Sequence, residues 1–420
     1  MRDFGVEMNR RGFLGALAFV AGSLFGGEKM FAAKPAASGD WSGKITGLGA
    51  TGDVYEELGL TTVINGQGTM TYLGGSIIRP EVEAVMKLAA KNFVPIMQLE
   101  AAAGTRISEL LKLPDGYSAI VTSGAASAIQ NGYSGILTGS DGRKIEQLPN
   151  VAGMKSEVLV QKAHRSGWEH QIVVTGVKMV EVETVEDVKR ALSERTAAMH
   201  FLNYNDPDGK IKRAEWLALA HAAGVPAFLD AAADTPPKSN LSEYAKMGFD
   251  LISFSGGKAL RGPQCAGLLI GRADRVHNAL LNMSPNEGTI GRAAKVGKEE
   301  IVGMVKALEL FLAEDWDAVV KAQMDKLGVI ATAVKKVPGV TVAYDTPTIA
   351  NNFPEMQVQL DLKKFSVTAD AITSKLAARK PSIVLNGGGN SIGMTAINFQ
   401  AGEDRTIADA LVAELKAHSV

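Results

Sequence analysis

From residue 55 onward the apolar positions fall into two alternating textures. Short runs rich in valine, isoleucine and aromatic residues read as strands: "TTVING" (61–66), "YSAIVTSG" (117–124), "EVLVQ" (157–161), "QIVVTG" (171–176), "VKMVEVE" (177–183), "AAMHFLNY" (197–204), "VPAFLD" (225–230), "FDLISFS" (249–255) and "AGLLIG" (266–271). Between them lie stretches with apolar residues at helical spacing. "RPEVEAVMKLAAKNF" (79–93) has Pro80 near its first turn, and "LEAAAGTRISELLKL" (99–113) stops at Pro114-Asp115-Gly116. "AASAIQNGYSGIL" (125–137), "VEDVKRALSER" (185–195) and "IKRAEWLALAHAAG" (211–224) complete the set. Strands alternating with helices predict crossover units, hence an α/β fold whose large domain is built on a mainly parallel sheet.

After Asn282 the texture changes. Residues 284–298 are rich in glycine, proline and charge and read as a long loop, followed by one long helix over roughly 298–326. The tail then mixes helices with the strand patterns "GVTVAYD", "EMQVQLDL", "SIVLN" and "SIGMTAINF", and closes on the helix "DRTIADALVAELKAH". The predicted organisation is a large domain over 55–283 and a linker helix with a smaller C-terminal α+β domain over 284–420, residues 55–80 being candidates to pack on the smaller domain.

The first residues follow another pattern. Asn9-Arg10-Arg11-Gly12-Phe13-Leu14 precede a mildly apolar run to Phe25, and small residues and prolines follow from Phe31 to Ser38. A charged start, a short apolar middle and a small-residue exit predict an export signal over 1–33, and the paired arginines make it the twin-arginine type. A spacer over 34–54 follows. The expected location is periplasmic, with no stable membrane span once the signal is removed.

Formal net charge is −1 with 21% charged residues, and no basic stripe runs along the chain, which argues against nucleic acid as the main partner. One cysteine, Cys265, excludes an intrachain disulfide and any multi-cysteine metal site. Its place beside a strand predicts a packed thiol rather than a reactive one. His164 and His170 have no third ligand in view, so no metal site is expected.

The candidate chemistry lies where predicted strands end. Thr122-Ser123-Gly124-Ala125-Ala126 joins a strand to a helix, where free N–H groups and the positive helix end form an anion site and small side chains let a phosphate approach. Asp230 closes the strand in "FLDAAAD", on the edge where open α/β sheets hold ligands. Ser255-Gly256-Gly257-Lys258 puts an amine on a glycine hinge between two buried strands. A phosphate cup, a carboxylate and a hinge lysine are what pyridoxal phosphate requires: a lysine to form a Schiff base, an acid to keep the pyridine nitrogen protonated, and an anchor for the 5′-phosphate.

From Tyr55 almost to its end the chain resembles the selenocysteine synthase-like group of fold-type I pyridoxal-phosphate enzymes. That group contains L-seryl-tRNA(Sec) selenium transferase and D-glucosaminate-6-phosphate ammonia-lyase. The likeness rests on "VINGQGTMTYLGGSIIRPEV", "VTSGAASA", "VQKAHRSGWEHQIVVTGVKMVEVE", "FLDAAAD" and "SFSGGKALRGPQCAGLLIGR". The resemblance implies that Lys258 is the Schiff-base lysine and Asp230 the ring-nitrogen partner, with Ser123, Gly124, Ala125 and Ser255 on the phosphate. It implies that His164 stacks on the ring or aids proton transfer, with Arg165 and His170 weaker candidates. Asn65, Gly66 and the 73–76 turn are expected at the entrance, and Arg261 is a candidate for a substrate anion. Residues 386–390, "NGGGN", read as a turn between strands rather than a phosphate loop.

The expected enzyme acts at Cα and Cβ of an amino acid or amino sugar acid. Lys258 takes the Cα proton and a β-substituent leaves; hydrolysis then gives ammonia and a keto acid, a lyase outcome. Addition of a nucleophile instead gives selenium-transferase-like β-replacement, with the same residues. A third reading keeps the fold as a binding protein without turnover. The resemblance also implies a homodimer or larger homo-oligomer.

Overall fold

Strands that are apolar at every position need cover on both faces, and the observed sheet meets that demand. The computed structural model describes residues 48–49 and 52–420, so the expected export signal over 1–33 and nearly all of the 34–54 spacer lie outside the described residues. Residues 64–379 with 383–420 form one compact unit; the described residues before 64, with 380–382, fall in another. The described part of the latter contains the short helix Val54–Glu57, capped by Asp53, which accepts from the N–H groups of Tyr55 and Glu56 at 3.0 Å.

In chain order the first strands are β1 (Val63–Asn65), β2 (Tyr117–Thr122), β3 (Glu157–Gln161), β4 (Lys178–Val182), β5 (Thr196–Leu202), β6 (Ala227–Asp230), β7 (Leu251–Ser255) and β8 (Gly267–Arg272). Seven of them make one sheet in the order β2-β8-β7-β6-β5-β3-β4. All neighbouring pairs are parallel except those made by β8, which runs against both β7 and β2. Every residue of β5 and β6 is buried. Phe201, Phe228 and Phe254 are fully enclosed in this core, each stabilising the fold by roughly 1.5–3 kcal/mol. The outer edge of β2 is covered rather than left open: buried Glu100, from the helix Ile96–Leu111, accepts the Val121 N–H at 3.0 Å.

The C-terminal strands are β9 (Val340–Asp345), β10 (Glu355–Leu360), β11 (Ser382–Val384), β12 (Asn386–Gly388) and β13 (Ser391–Thr395). β12, β13, β10 and β9 form an antiparallel sheet in that order, and β1 pairs with β11. β10 alternates buried and half-buried positions, the signature of a one-sided sheet. A second core gathers here, and Ile64 of β1 belongs to it.

Three expectations change. "QIVVTG" is not a strand: Ser166 and Glu169 form a capping box that starts a 3₁₀ turn over Gly167–Glu169, and the helix His170–Val173 continues from it. The helix expected over 298–326 is two, Lys298–Ala313 and Trp316–Val334. Asp315 caps the second by accepting from Asp317 and Ala318 N–H, while Lys238 Nζ caps the first through the Leu312 carbonyl at 2.8 Å. The "NGGGN" stretch contributes an edge strand, β12, so it is more than a turn.

Candidate active site

Because the parallel strands share a direction and β8 opposes them, one sheet edge collects the C-terminal ends of β2, β5, β6 and β7 and the start of β8. Thr122 and Ser255 both pair with Gly267, and Asp230 lies between Leu202 and Ser253. A cleft of about 470 Å³ opens on this edge. Gly124, Ala125, Asp230, Ser255 and Lys258 all line it, so the structure brings together most of the residues singled out from the sequence.

The helix Gly124–Thr138 begins at this cleft, and its capping residue Ser123 makes no side-chain bond to the first N–H groups. Gly124 has φ +76°, and the space where a side chain would stand is open. Gly267 is the counterpart beneath: a Cβ there would lie 2.5 Å from the Gly124 carbonyl carbon and 2.7 Å from Ala125 N. Glycine at 267 therefore lets β8 run under the helix start, whose donors point outward. Ser123 itself is not part of the cleft wall.

Asp230 is buried. Its Oδ1 accepts from Ala232 N–H at 3.0 Å and Ser253 Oγ at 3.2 Å, and Oδ2 has no hydrogen-bond partner among the described residues. Burial raises its carboxyl above the ordinary range, against the pull of Ala232 N–H, the Lys258 charge and Ser253. Lys258 is partly buried. Burial lowers its ammonium, while the charges of Asp230 and Asp234 act in the opposite sense.

The hinge under Lys258 is braced from several sides. Gly256 N–H bonds to Ala266 O at 2.8 Å and Gly262 N–H to Gly256 O at 2.9 Å. Ser76 Oγ donates to Gly257 O at 3.1 Å. Gly75, at φ +75°, is so close that a Cβ would overlap Gln264 Oε1, and one on Gly257 would stand 2.6 Å from the same atom. The 73–76 turn thus packs behind the lysine instead of forming the entrance, where Thr69, Met70 and Thr71 stand.

Several further expected placements are corrected. His164 is buried behind the cleft, with Nδ1 3.3 Å from Leu202 N and Nε2 3.3 Å from Gln161 Nε2; burial lowers its imidazole to about 4. A ring so enclosed is not on the cleft wall. Asn65 spends its amide within its own turn, donating to Gly68 O at 2.8 Å and accepting from Gln67 N at 3.0 Å, and Gly66 packs against Leu385. Arg261, at φ +54°, donates from Nε to Ile77 O at 3.2 Å, away from the cleft wall. Cys265 is exposed rather than packed. Arg165 is engaged by Glu169 and Glu181.

Residues not singled out from the sequence also line the cleft: Trp168, Gln171, Tyr204, Asp234, Gln264 and Asn351. Trp168 and Tyr204 are largely exposed and meet edge to face, with centroids 6.2 Å apart. Ser166-x-x-Glu169 was the available signal for the turn that presents Trp168.

Residues 91–361 match the family model described as aminotransferase class-V. The chain is 27% identical over 344 residues to a 5'-C-glycyluridine monooxygenase-decarboxylase from a Streptomyces species, covering 79% of this chain and 83% of that one. It is 27% identical over 337 residues to the D-glucosaminate-6-phosphate ammonia lyase of Salmonella typhimurium, covering 78% and 87%. An L-seryl-tRNA(Sec) selenium transferase of Solidesulfovibrio magneticus is 25% identical over 273 residues, 59% of this chain and 55% of that enzyme. The solved structure of a D-glucosaminate-6-phosphate ammonia-lyase has the same fold, with a TM-score of 0.76 at 24% identity, covering 88% of this chain and 99% of that one.

Proposed function

The chain belongs to the aminotransferase class-V family, and on that footing we propose that it is a pyridoxal 5'-phosphate enzyme of the lyase type acting at Cα and Cβ of an amino acid or amino sugar acid. One observation carries the reading: a partly buried amine, Lys258, shares a single cleft with the buried carboxylate Asp230 and the uncapped start of the helix Gly124–Thr138.

The residues present fit that cofactor. Asp230 has one oxygen fixed by Ala232 and Ser253 and the other without a partner, as an acid facing a ring nitrogen needs. The open space over Gly124 and the free donors of Gly124 and Ala125, with the Ser255 hydroxyl, make the phosphate seat. Lys258 holds the aldehyde end. When bound, pyridoxal 5'-phosphate supplies a carbonyl for amine exchange and an electron sink for charge developing at Cα.

The protein's own part is proton management. Burial biases the Lys258 amine toward its neutral form, so it would be able to accept a proton from the substrate Cα. Asp230 holds a proton at the ring nitrogen through its opposite charge. Trp168 and Tyr204 line the same cleft and meet edge to face.

The test is direct. The purified protein incubated with pyridoxal 5'-phosphate should show a visible band that borohydride bleaches, and should release ammonia and a keto acid from a member of a panel of β-hydroxy amino acids and amino sugar acids. A band without release from any panel member would move the reading toward a binding protein; no band would remove the enzyme reading altogether.

Two further parts of the proposal concern setting. Arg10-Arg11 before an apolar run supports twin-arginine export to the periplasm, and the family fold supports a homodimer or larger homo-oligomer. The periplasmic fraction should therefore yield a protein lacking residues 1–33 and of at least twice the chain mass by light scattering. A cytoplasmic protein retaining those residues would refute export, and a monomer would refute the dimer.

A further inference from the structure

Three carboxamides from separate elements line the cleft: Gln171 on the helix His170–Val173, Gln264 on the turn before β8, and Asn351 on the loop between β9 and β10. All three are half-buried, and among the described residues none of these side chains has a hydrogen-bond partner. Two of them are held in place by other means. The Gln264 carboxamide rests in a notch left by two glycines: a Cβ on Gly75 would lie 1.7 Å from its Oε1, and one on Gly257 2.6 Å from it. Asn351 and the preceding Ala350 have φ +43° and +54°, a left-handed region that residues other than glycine seldom occupy. The backbone is pinned there by Asn351 N–H on Ala233 O and by Phe353 N–H on Asn351 O, both at 2.7 Å. Backbone strain that is locked in place and presents an unspent amide to a cleft is characteristic of ligand sites.

The charges of the cleft narrow what those amides meet. Apart from Lys258, the wall has no cationic side chain among the described residues, and its two other ionisable carboxyls are Asp230 and Asp234. A phosphate brought against such a wall gives up its water and finds no countercharge. A carboxamide is neutral and has two donors and an acceptor, which matches a hydroxyl, itself a donor and an acceptor. Three of them at separate points can read a series of hydroxyls. Trp168 and Tyr204, both largely exposed, add apolar ring surface in the same cleft.

Resting on the proposed reaction at Cα and Cβ, we infer that the substrate carries an uncharged, polyhydroxylated tail beyond Cβ, and that Gln171, Gln264 and Asn351 hydrogen-bond to that tail. The substrate class is then an unphosphorylated amino sugar acid. In the empty cleft water satisfies the amides. A ligand that displaces this water without offering hydroxyls leaves them unpaired, so selection for the tail is steep.

The probes are D-glucosaminate, its 6-phosphate and D-serine, which share an amino acid end with a β-hydroxyl and differ in the tail. Each is titrated into the holoenzyme, and the change in the visible band gives its dissociation constant. Wild type should bind D-glucosaminate about tenfold or more tighter than either of the others. Asn351→Gly deletes the amide and suits the left-handed backbone, and Gln171→Met keeps the bulk of the side chain. Each should cut the preference for D-glucosaminate over D-serine about fivefold, the worth of one hydrogen bond. A 6-phosphate that binds as tightly as the unphosphorylated acid overturns the inference. So does a preference unmoved in either variant, or a band that D-glucosaminate leaves unchanged. Should a variant fail to fold, the comparison of the three ligands on wild type decides alone. A wild type with no visible band sinks the cofactor reading and this inference together, whereas a normal band without the expected preference sinks this inference alone.

Discussion

Replacing Lys258 with alanine is expected to leave the fold intact and abolish turnover. The backbone around it is held by Gly256 N–H on Ala266 O, by Gly262 N–H on Gly256 O and by Ser76 Oγ on Gly257 O, none of which uses the side chain. Burial already disfavours the ammonium, so its loss should change stability by no more than about 1 kcal/mol. Loss of the base alone costs roughly 10²–10⁴-fold in rate, and the covalent link to the cofactor goes with it. Asp230 and the helix start remain, so the variant should still bind pyridoxal 5'-phosphate, but in a form that borohydride cannot fix to the chain. Lys258→Arg keeps the charge and should not rescue, because a guanidinium does not deprotonate. Peptide mapping after reduction checks both variants. A label on another lysine, or a rate within tenfold of wild type, would contradict the assignment.

Asp230→Asn should give the second largest loss. The amide preserves the shape of the side chain and can still accept from Ala232 N–H and Ser253 Oγ. What disappears is the negative charge. A charge partner at this range is worth one to three pKa units, so the protonated fraction of the ring should fall roughly 10- to 1000-fold at pH values above its own titration. kcat should drop in that range, and cofactor affinity should weaken as well. The sign of the pH effect follows: as pH falls, solvent protonates the ring without help, so the deficit of the variant should narrow toward acid and widen toward alkali. A kcat within twofold of wild type across pH would show that Asp230 has some other duty.

The sheet was legible because its strands are apolar at nearly every position and bounded by glycine, proline or charge. The edge that gathers Asp230, Ser255 and Lys258 was legible for the same reason: each follows such a run. Failures occurred where the deciding contact is distant in sequence or polar. "QIVVTG" has a strand composition, but the Ser166–Glu169 capping box upstream outweighs it. His164 turns inward because Leu202 N–H, brought in by the packing of β5 against β3, meets one ring nitrogen, while Gln161 three residues earlier lies beside the other. Asp234 was not singled out from the sequence, because Asn203 and Tyr244, which enclose it, come from two other elements. The break at Glu314–Asp315 was visible as an aspartate before a tryptophan, but long helical periodicity on both sides masked it.

The stretch from Ile64 to Ser76 has a consequence for motion. Near its start, Gly66 N–H bonds to Val384 O, Gly66 O accepts from Thr395 N–H, and Gln67 Nε2 reaches Leu385 O at 3.0 Å. Asn398 Nδ2 then clasps Gly68 O and Gly75 O, and at the far end Gly75 and Ser76 press on Gly257 and Gln264. These thirteen residues form a pushrod from the C-terminal strands to the peptide bond just before Lys258, bypassing the seven-stranded sheet. A shift of the C-terminal sheet would therefore reach the lysine's backbone within a few contacts.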